Sequence, residues 1–215
     1  AVETLTQRPA DRFRFATWMA EPPPADAPPR ENLLAVAADW ADQLCHDIAR
    51  TGWSCQVVDA LPFCLARAVA MVDPRAQAGP IGAIDLGYRR ATFCVVLEGR
   101  PVYLRPLKGC DQQNWLAGLA SGLDVDPPEA QALLAEHGVA AGDRQPASEA
   151  ASVIAEMTAE PLAQLEGEIR RTIDHLACQR SSIVPEEIYL FGGGATVRGD
   201  RKSTRLNSSH TDISR

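Results

Sequence analysis

The chain has 215 residues, of which 46% are hydrophobic and 23% charged, and a net charge of -7. That is apolar material for one large or two small packed domains, and the acidic balance argues against non-specific nucleic-acid binding. No apolar run reaches the roughly 18 residues of a membrane-spanning helix, and Ala1-Val2-Glu3-Thr4 has neither the basic nor the apolar region of a signal peptide.

With no initiator Met, the sequence reads as starting inside a longer protein. Residues 11–20, with Phe13, Phe15, Thr17 and Trp18, suit a strand. The Pro-rich stretch from Pro22 to Pro29 is a loop, because Pro has no N–H to give a ladder and a fixed φ. Leu33–Ala38 reads as a short buried strand. A helix capped by Asp39 then runs to about Arg50, with Trp40, Leu44 and Ile48 on one face, and Gly52 ends it. Trp53–Val58 reads as a strand closing a strand–helix–strand unit. Pro62 sits near the start of a helix ending by Asp73-Pro74, and 74–80 is a loop.

Gly82–Gly87, Ala91–Leu97 and Val102–Leu107 then form a three-strand meander with Gly99 at the second turn. Helices are predicted over Asp111–Leu123 and Pro128–His137, and a polar loop over Gly138–Gln145. Helix follows over about Glu149–Gln179; Pro161 fits a first helical position, so this region is one helix or two. Ile183–Phe191 is a strand. Residues 200–215 show neither helical nor strand periodicity and read as a non-native or disordered tail. The six Cys, at 45, 55, 64, 94, 110 and 178, show no C-x-x-C spacing and read as reduced thiols.

Two glycine-bearing strand ends carry the chemistry. In Asp85-Leu86-Gly87, an Asp at a strand's end can reach a hydrated Mg²⁺ or orient a water, and Gly lets backbone approach a phosphate. Thr92 adds a hydroxyl nearby. The same residues would also serve a plain hairpin turn. In Gly192-Gly193-Gly194, three glycines after the strand Ile188–Phe191 set bare backbone where a base or ribose can lie, or form a simple loop. No Lys or Ser/Thr follows in P-loop spacing and no G-x-G-x-x-G occurs, so neither a Walker A site nor a dinucleotide fingerprint is present. Arg170 and Arg171, in Gln164–Gln179, either stack on an adenine or belong to a solvated charged face with Glu166 and Glu168. His46, His137 and His175 have no metal-ligand spacing, and no catalytic triad is defined.

Taken in order, these segments resemble a family. Leu33–Ala38 with the helix into Ala49-Arg50-Thr51-Gly52-Trp53, Val58–Ala68, Ala83–Val96 with Gly99–Tyr103, Glu168–Asp174, and Ile188–Ala195 are similar to the PilM-like proteins of type IV pilus assembly, actin-like proteins related to the cell-division protein FtsA. The resemblance implies an α/β actin/Hsp70-like ATPase fold with ribonuclease H-like lobes, incomplete here. Residues 1–58 would be the inserted small subdomain typical of FtsA and PilM, 59–80 a connecting helix and linker, and 81–199 the second lobe.

The resemblance further implies ATP and Mg²⁺ as ligands. Asp85 would hold Mg²⁺ through water; Gly87 and Thr92 would lie in the second phosphate loop, and Gly192, Gly193 and Gly194 in the adenosine loop, with Arg170 and Arg171 by the base. The first phosphate loop lies outside this sequence, so the 215 residues alone are expected to bind ATP weakly or not at all. Tyr88, Arg89 and Arg90 stand where relatives carry small residues, which leaves hydrolysis open. The implied role is a cytoplasmic scaffold that docks the cytoplasmic tail of the inner-membrane protein PilN, contacts other pilus assembly proteins, and meets the membrane only through them. Alternatives are a sugar-kinase-like phosphotransferase of the same superfold, with Asp85 as its candidate base, and a type II secretion protein of the GspL kind.

Overall fold

The structure, a computed structural model, describes residues 2–19, 31–73, 79–139 and 148–197. The Pro-rich stretch 22–29, the tail 200–215, and most of the loops predicted over 74–80 and 138–145 fall outside the described residues. The chain divides into two compact units, Ala1–Leu61 and Pro62–Arg215.

In the first unit, helix α1 (Val2–Thr6) and a short 3-10 turn precede strand β1 (Phe13–Met19). Strand β2 (Glu31–Ala37) pairs with it antiparallel, from Phe13 opposite Ala37 to Met19 opposite Glu31. Helix α2 (Ala38–Arg50) starts where β2 stops and buries Ala38 and Ala41. An ion pair of 3.0 Å joins Arg14 to Asp42 across strand and helix; both side chains are mostly exposed, so it adds little stability.

Three sequence expectations change here. The N-cap of α2 is Ala37, and Asp39 stands in the first turn, where its negative charge still complements the positive end of the helix dipole. Trp40, in register for the buried face, is 56% exposed. The strand expected over 53–58 does not form: the segment pairs with no strand among the described residues, and Trp53 and Val57 are about three-quarters exposed. Alternation at Trp53, Cys55 and Val57 satisfies the period of a strand, but a strand also needs a neighbour for its backbone groups.

The second unit has three layers. Helix α3 (Leu61–Val72) covers one face of a four-stranded sheet made of β3 (Ile81–Leu86), β4 (Ala91–Leu97), β5 (Arg100–Leu107) and β6 (Glu187–Phe191), ordered β5-β4-β3-β6. The first three strands are the predicted antiparallel meander. After β5 the chain runs through α4 (Gln112–Leu123), α5 (Pro127–His137) and α6 (Glu149–Gln179) before β6 returns parallel to β3. The central strands are apolar on both faces, as a sheet covered on both sides requires. Ile81, Ala83, Cys94 and Val96 pack with Leu65, Ala66 and Val69 of α3. Ile84, Leu86, Ala91, Phe93 and Val95 pack on the other side with Trp115 of α4 and with Leu165 and Leu176 of α6. A third cluster, including Leu116, Leu119, Leu134 and Ile154, joins α4, α5 and α6.

The predicted helices gain precise starts. Asp111, Asp126 and Ser148 each accept a hydrogen bond from the backbone N–H three residues on, capping α4, α5 and α6. The region 149–179 is one 31-residue helix with Pro161 inside it. Pro161 leaves the Met157 carbonyl without its helical partner, and packing of Leu165 and Leu176 on the sheet holds the helix continuous. Strand β6 begins at Glu187, because Ser181–Ile183 form a 3-10 turn.

Candidate functional site

The two glycine-bearing motifs, a hundred residues apart in sequence, meet in space. Parallel pairing of β3 and β6 sets Asp85 beside Phe191, and antiparallel pairing sets Asp85 opposite Thr92. All three therefore stand at the same end of the sheet. Chain beyond Phe191 turns directly over the end of β3. A Cβ placed on Gly194 would lie 2.6 Å from Leu86 Cβ, and one on Gly192 would collide with Asp85 Oδ1 and lie 2.9 Å from the Leu86 carbonyl oxygen. Gly192 also has φ +82°, where L side chains are strained. Two of the bare α-carbons thus permit close packing of the turn on Asp85-Leu86. Gly87 is equally confined: a Cβ there would sit 2.8 Å from the Arg90 carbonyl oxygen.

Gln112 ties the motifs together, and nothing in the sequence marks it. Its backbone N–H donates to the Gly87 carbonyl at 3.2 Å, and the N–H of Gln113 donates to the Tyr88 carbonyl at 2.8 Å. The Gln112 side-chain oxygen lies against Gly193, 2.8 Å from where a Cβ would be. The first turn of α4 is thereby spent on the β3–β4 turn and on its Asp111 cap. In a trans peptide the C=O and N–H point in opposite directions. With the Gly87 and Tyr88 carbonyls turned toward α4, the N–H groups of Tyr88 and Arg89 point away from it, and neither bonds to an acceptor among the described residues.

Asp85 is half-buried, and no described group donates a hydrogen bond to its carboxylate. Burial pushes its pKa up from the ordinary carboxylate value, because desolvation disfavours the charged form. Thr92, 8% exposed, stands directly across from it. An acceptor-only carboxylate without donors, beside two outward amides, suits a hydrated cation accompanying an anion. Of the groups at this end of the sheet, Asp85 is the one that could hold Mg²⁺ through water, and the Tyr88 and Arg89 amides are the donors that could face phosphate oxygens.

Arg170 and Arg171 are placed on the surface of α6. Arg170 pairs with Glu166 at 2.7 Å, and Arg171 with Glu168. Glu168, 13% exposed, also accepts from Arg105 of β5 at 2.9 Å, and Arg105 donates a second bond to Thr172 at 3.1 Å. The Arg105 bonds fasten helix to sheet, whereas the Arg170 and Arg171 pairs lie within α6; no hydrogen bond or ion pair of either arginine reaches the glycine turns. Among the described residues, no cluster of His, Cys, Asp and Glu able to hold a metal ion on its own is present.

No protein-family model and no curated protein matches the sequence. Solved structures do. A structure described as the PilM-PilN type IV pilus biogenesis complex is similar with a TM-score of 0.68 and 17% identity, over 92% of this chain and 55% of that one. MreB5 of Spiroplasma citri bound to AMPPNP is similar with a TM-score of 0.55 and 13% identity, over 76% of this chain and 55% of that chain. The same protein bound to ADP matches with a TM-score of 0.50 and 15% identity. The chain spans about half the length of the structures it matches. Identity at this level speaks to architecture alone: the chain has the actin-like ATPase fold expected from its motif order.

Proposed function

We propose that this chain is the nucleotide-holding part of an actin-like scaffold of type IV pilus assembly, acting by binding and docking and not by rapid turnover. The observation that carries the reading is the convergence of Asp85-Leu86-Gly87 and Gly192–Gly194 at one end of the sheet, in a fold shared with a PilM-PilN complex and with a nucleotide-bound MreB5. In this reading ATP lies across the two turns, its phosphates at the β3–β4 turn and its nucleoside over Gly192–Gly194. Mg²⁺ sits by Asp85 through water, and Thr92 lines the phosphate side. Arg170 and Arg171 pair with glutamates of their own helix, and one of the two guanidinium planes stacks on the adenine. The partner is the cytoplasmic tail of a PilN-like inner-membrane protein, along with other pilus assembly proteins, and the protein is cytoplasmic, at the membrane through its partners. Units 1–58, 59–80 and 81–199 take the roles of inserted subdomain, connector and second lobe.

Calorimetry on the full-length protein tests this, with MgATP in one titration and a synthetic PilN-tail peptide in the other. Binding of both is the expected result. Failure to bind either overturns the reading, and sugar-dependent consumption of ATP would move the protein to the phosphotransferases.

A further inference from the structure

A polyphosphate approaching this protein meets a net charge of -7, so its site must supply local positive charge. Among the described arginines of the second unit, Arg170 is paired with Glu166, and Arg105 and Arg171 share Glu168. Arg89 and Arg90 are paired with no carboxylate. Both are exposed at the tip of the β3–β4 turn, and neither makes an ion pair or a side-chain hydrogen bond among the described residues. They flank the outward N–H groups of Tyr88 and Arg89, and the turn that carries them is fixed by the bonds from Gln112 and Gln113. A guanidinium presents a planar set of donors that matches phosphate oxygens and keeps its charge at any ordinary pH.

We propose that Arg89 and Arg90 supply the counter-charge for the nucleotide's phosphates, so that nucleotide binding at this turn does not require a divalent cation. The inference rests on the nucleotide-site reading above. It adds that the metal by Asp85 is an accessory to binding, whereas the two guanidiniums and the turn amides hold the phosphate chain. The ligand class is a nucleoside polyphosphate, or a free polyphosphate of the same charge.

NMR titration of the full-length protein with ATP and with inorganic tripolyphosphate, each in Mg²⁺ and in EDTA, tests this. ATP affinity in EDTA is expected within about threefold of that in Mg²⁺. Replacing both arginines by Ala should weaken ATP about tenfold or more in both buffers, and replacing both by Lys should recover part of the loss. Side-chain Nε–H signals of Arg89 and Arg90 in the unmodified chain should move on ATP addition, a readout independent of any variant. Loss of ATP binding in EDTA, with the double Ala variant binding normally in Mg²⁺, would overturn this inference and leave the nucleotide site standing. Absence of ATP binding in either buffer would overturn both. Tripolyphosphate binding as tightly as ATP would identify the source as free polyphosphate and keep the role of the arginines.

Discussion

Replacing Gly192 by Ala tests how tightly the two motifs are joined. Gly192 has φ +82° and ψ -179°, a region that is essentially glycine's alone and costs another residue about 1–3 kcal/mol. The new Cβ would also meet Asp85 Oδ1 and stand 2.9 Å from the Leu86 carbonyl oxygen. Leu86 lies in the central strand β3, so its backbone cannot retreat without disturbing its pairing with Ala91, and such overpacking costs about 1–3 kcal/mol more. The sum, about 2–6 kcal/mol, is a large share of the roughly 5–15 kcal/mol that holds a domain folded. Equilibrium urea unfolding of the two proteins measures it. Gly118 serves as the internal control: it lies inside α4, and a Cβ there meets nothing within 4 Å, so Gly118→Ala should stabilise by about 0.5–1 kcal/mol. A Gly192→Ala protein within about 0.5 kcal/mol of the parent would refute the packing of the turn on Asp85-Leu86.

Asp85→Asn should stabilise the protein at neutral pH and leave it unchanged in acid. The folded-state pKa of Asp85 is raised, so the protonated form carries no penalty below its unfolded pKa, and stability is lost as pH rises through the folded value; a pH series of unfolding midpoints reads this, and equal midpoint shifts at all pH values would contradict it. Glu168→Ala should cost about 1.5–3 kcal/mol by stranding Arg105, in the same urea assay, and an unchanged midpoint would show that the ion pair contributes nothing. Burial pushes the Cys94 thiol up to about 12 and the Cys110 thiol up to about 11, so mass spectrometry after brief alkylation at pH 8 should find exposed Cys64 and Cys178 modified and the two buried thiols intact. Pro161→Ala should stabilise α6 by about 1–3 kcal/mol by restoring the Met157 hydrogen bond; destabilisation would mean that the proline ring is a packing element.

The meander 81–107 was legible in the sequence because its strands are short apolar runs separated by glycine-bearing turns, signals that act within a few residues. The helix starts were nearly as legible, since Asp111 and Ser148 are good caps wherever they fall. What the sequence could not carry was partner choice. Trp53–Val58 has a strand's period and no strand beside it among the described residues, and no local pattern reports whether a neighbour exists. Pro161 leaves one helix or two open, and the apolar face packed on the sheet decides for one. At the candidate site, Asp85 and the three glycines stood out by residue type. Gln112 did not: its role comes from its backbone N–H and from its position at the start of α4, which only the folded arrangement supplies. Motif order suggested the actin-like fold, and the pairing of Asp85 with Phe191 turned that order into a place.

The claim that nucleotide meets the joined turns is tested most directly by amide chemical shifts of the full-length protein, recorded while millimolar ATP is added. The account predicts shifts concentrated in Asp85–Thr92 and Gly192–Thr196, led by the Tyr88 and Arg89 N–H groups, with α5 unaffected. An absence of shifts at those residues, or shifts concentrated on α5 and the distant end of α6, would contradict it.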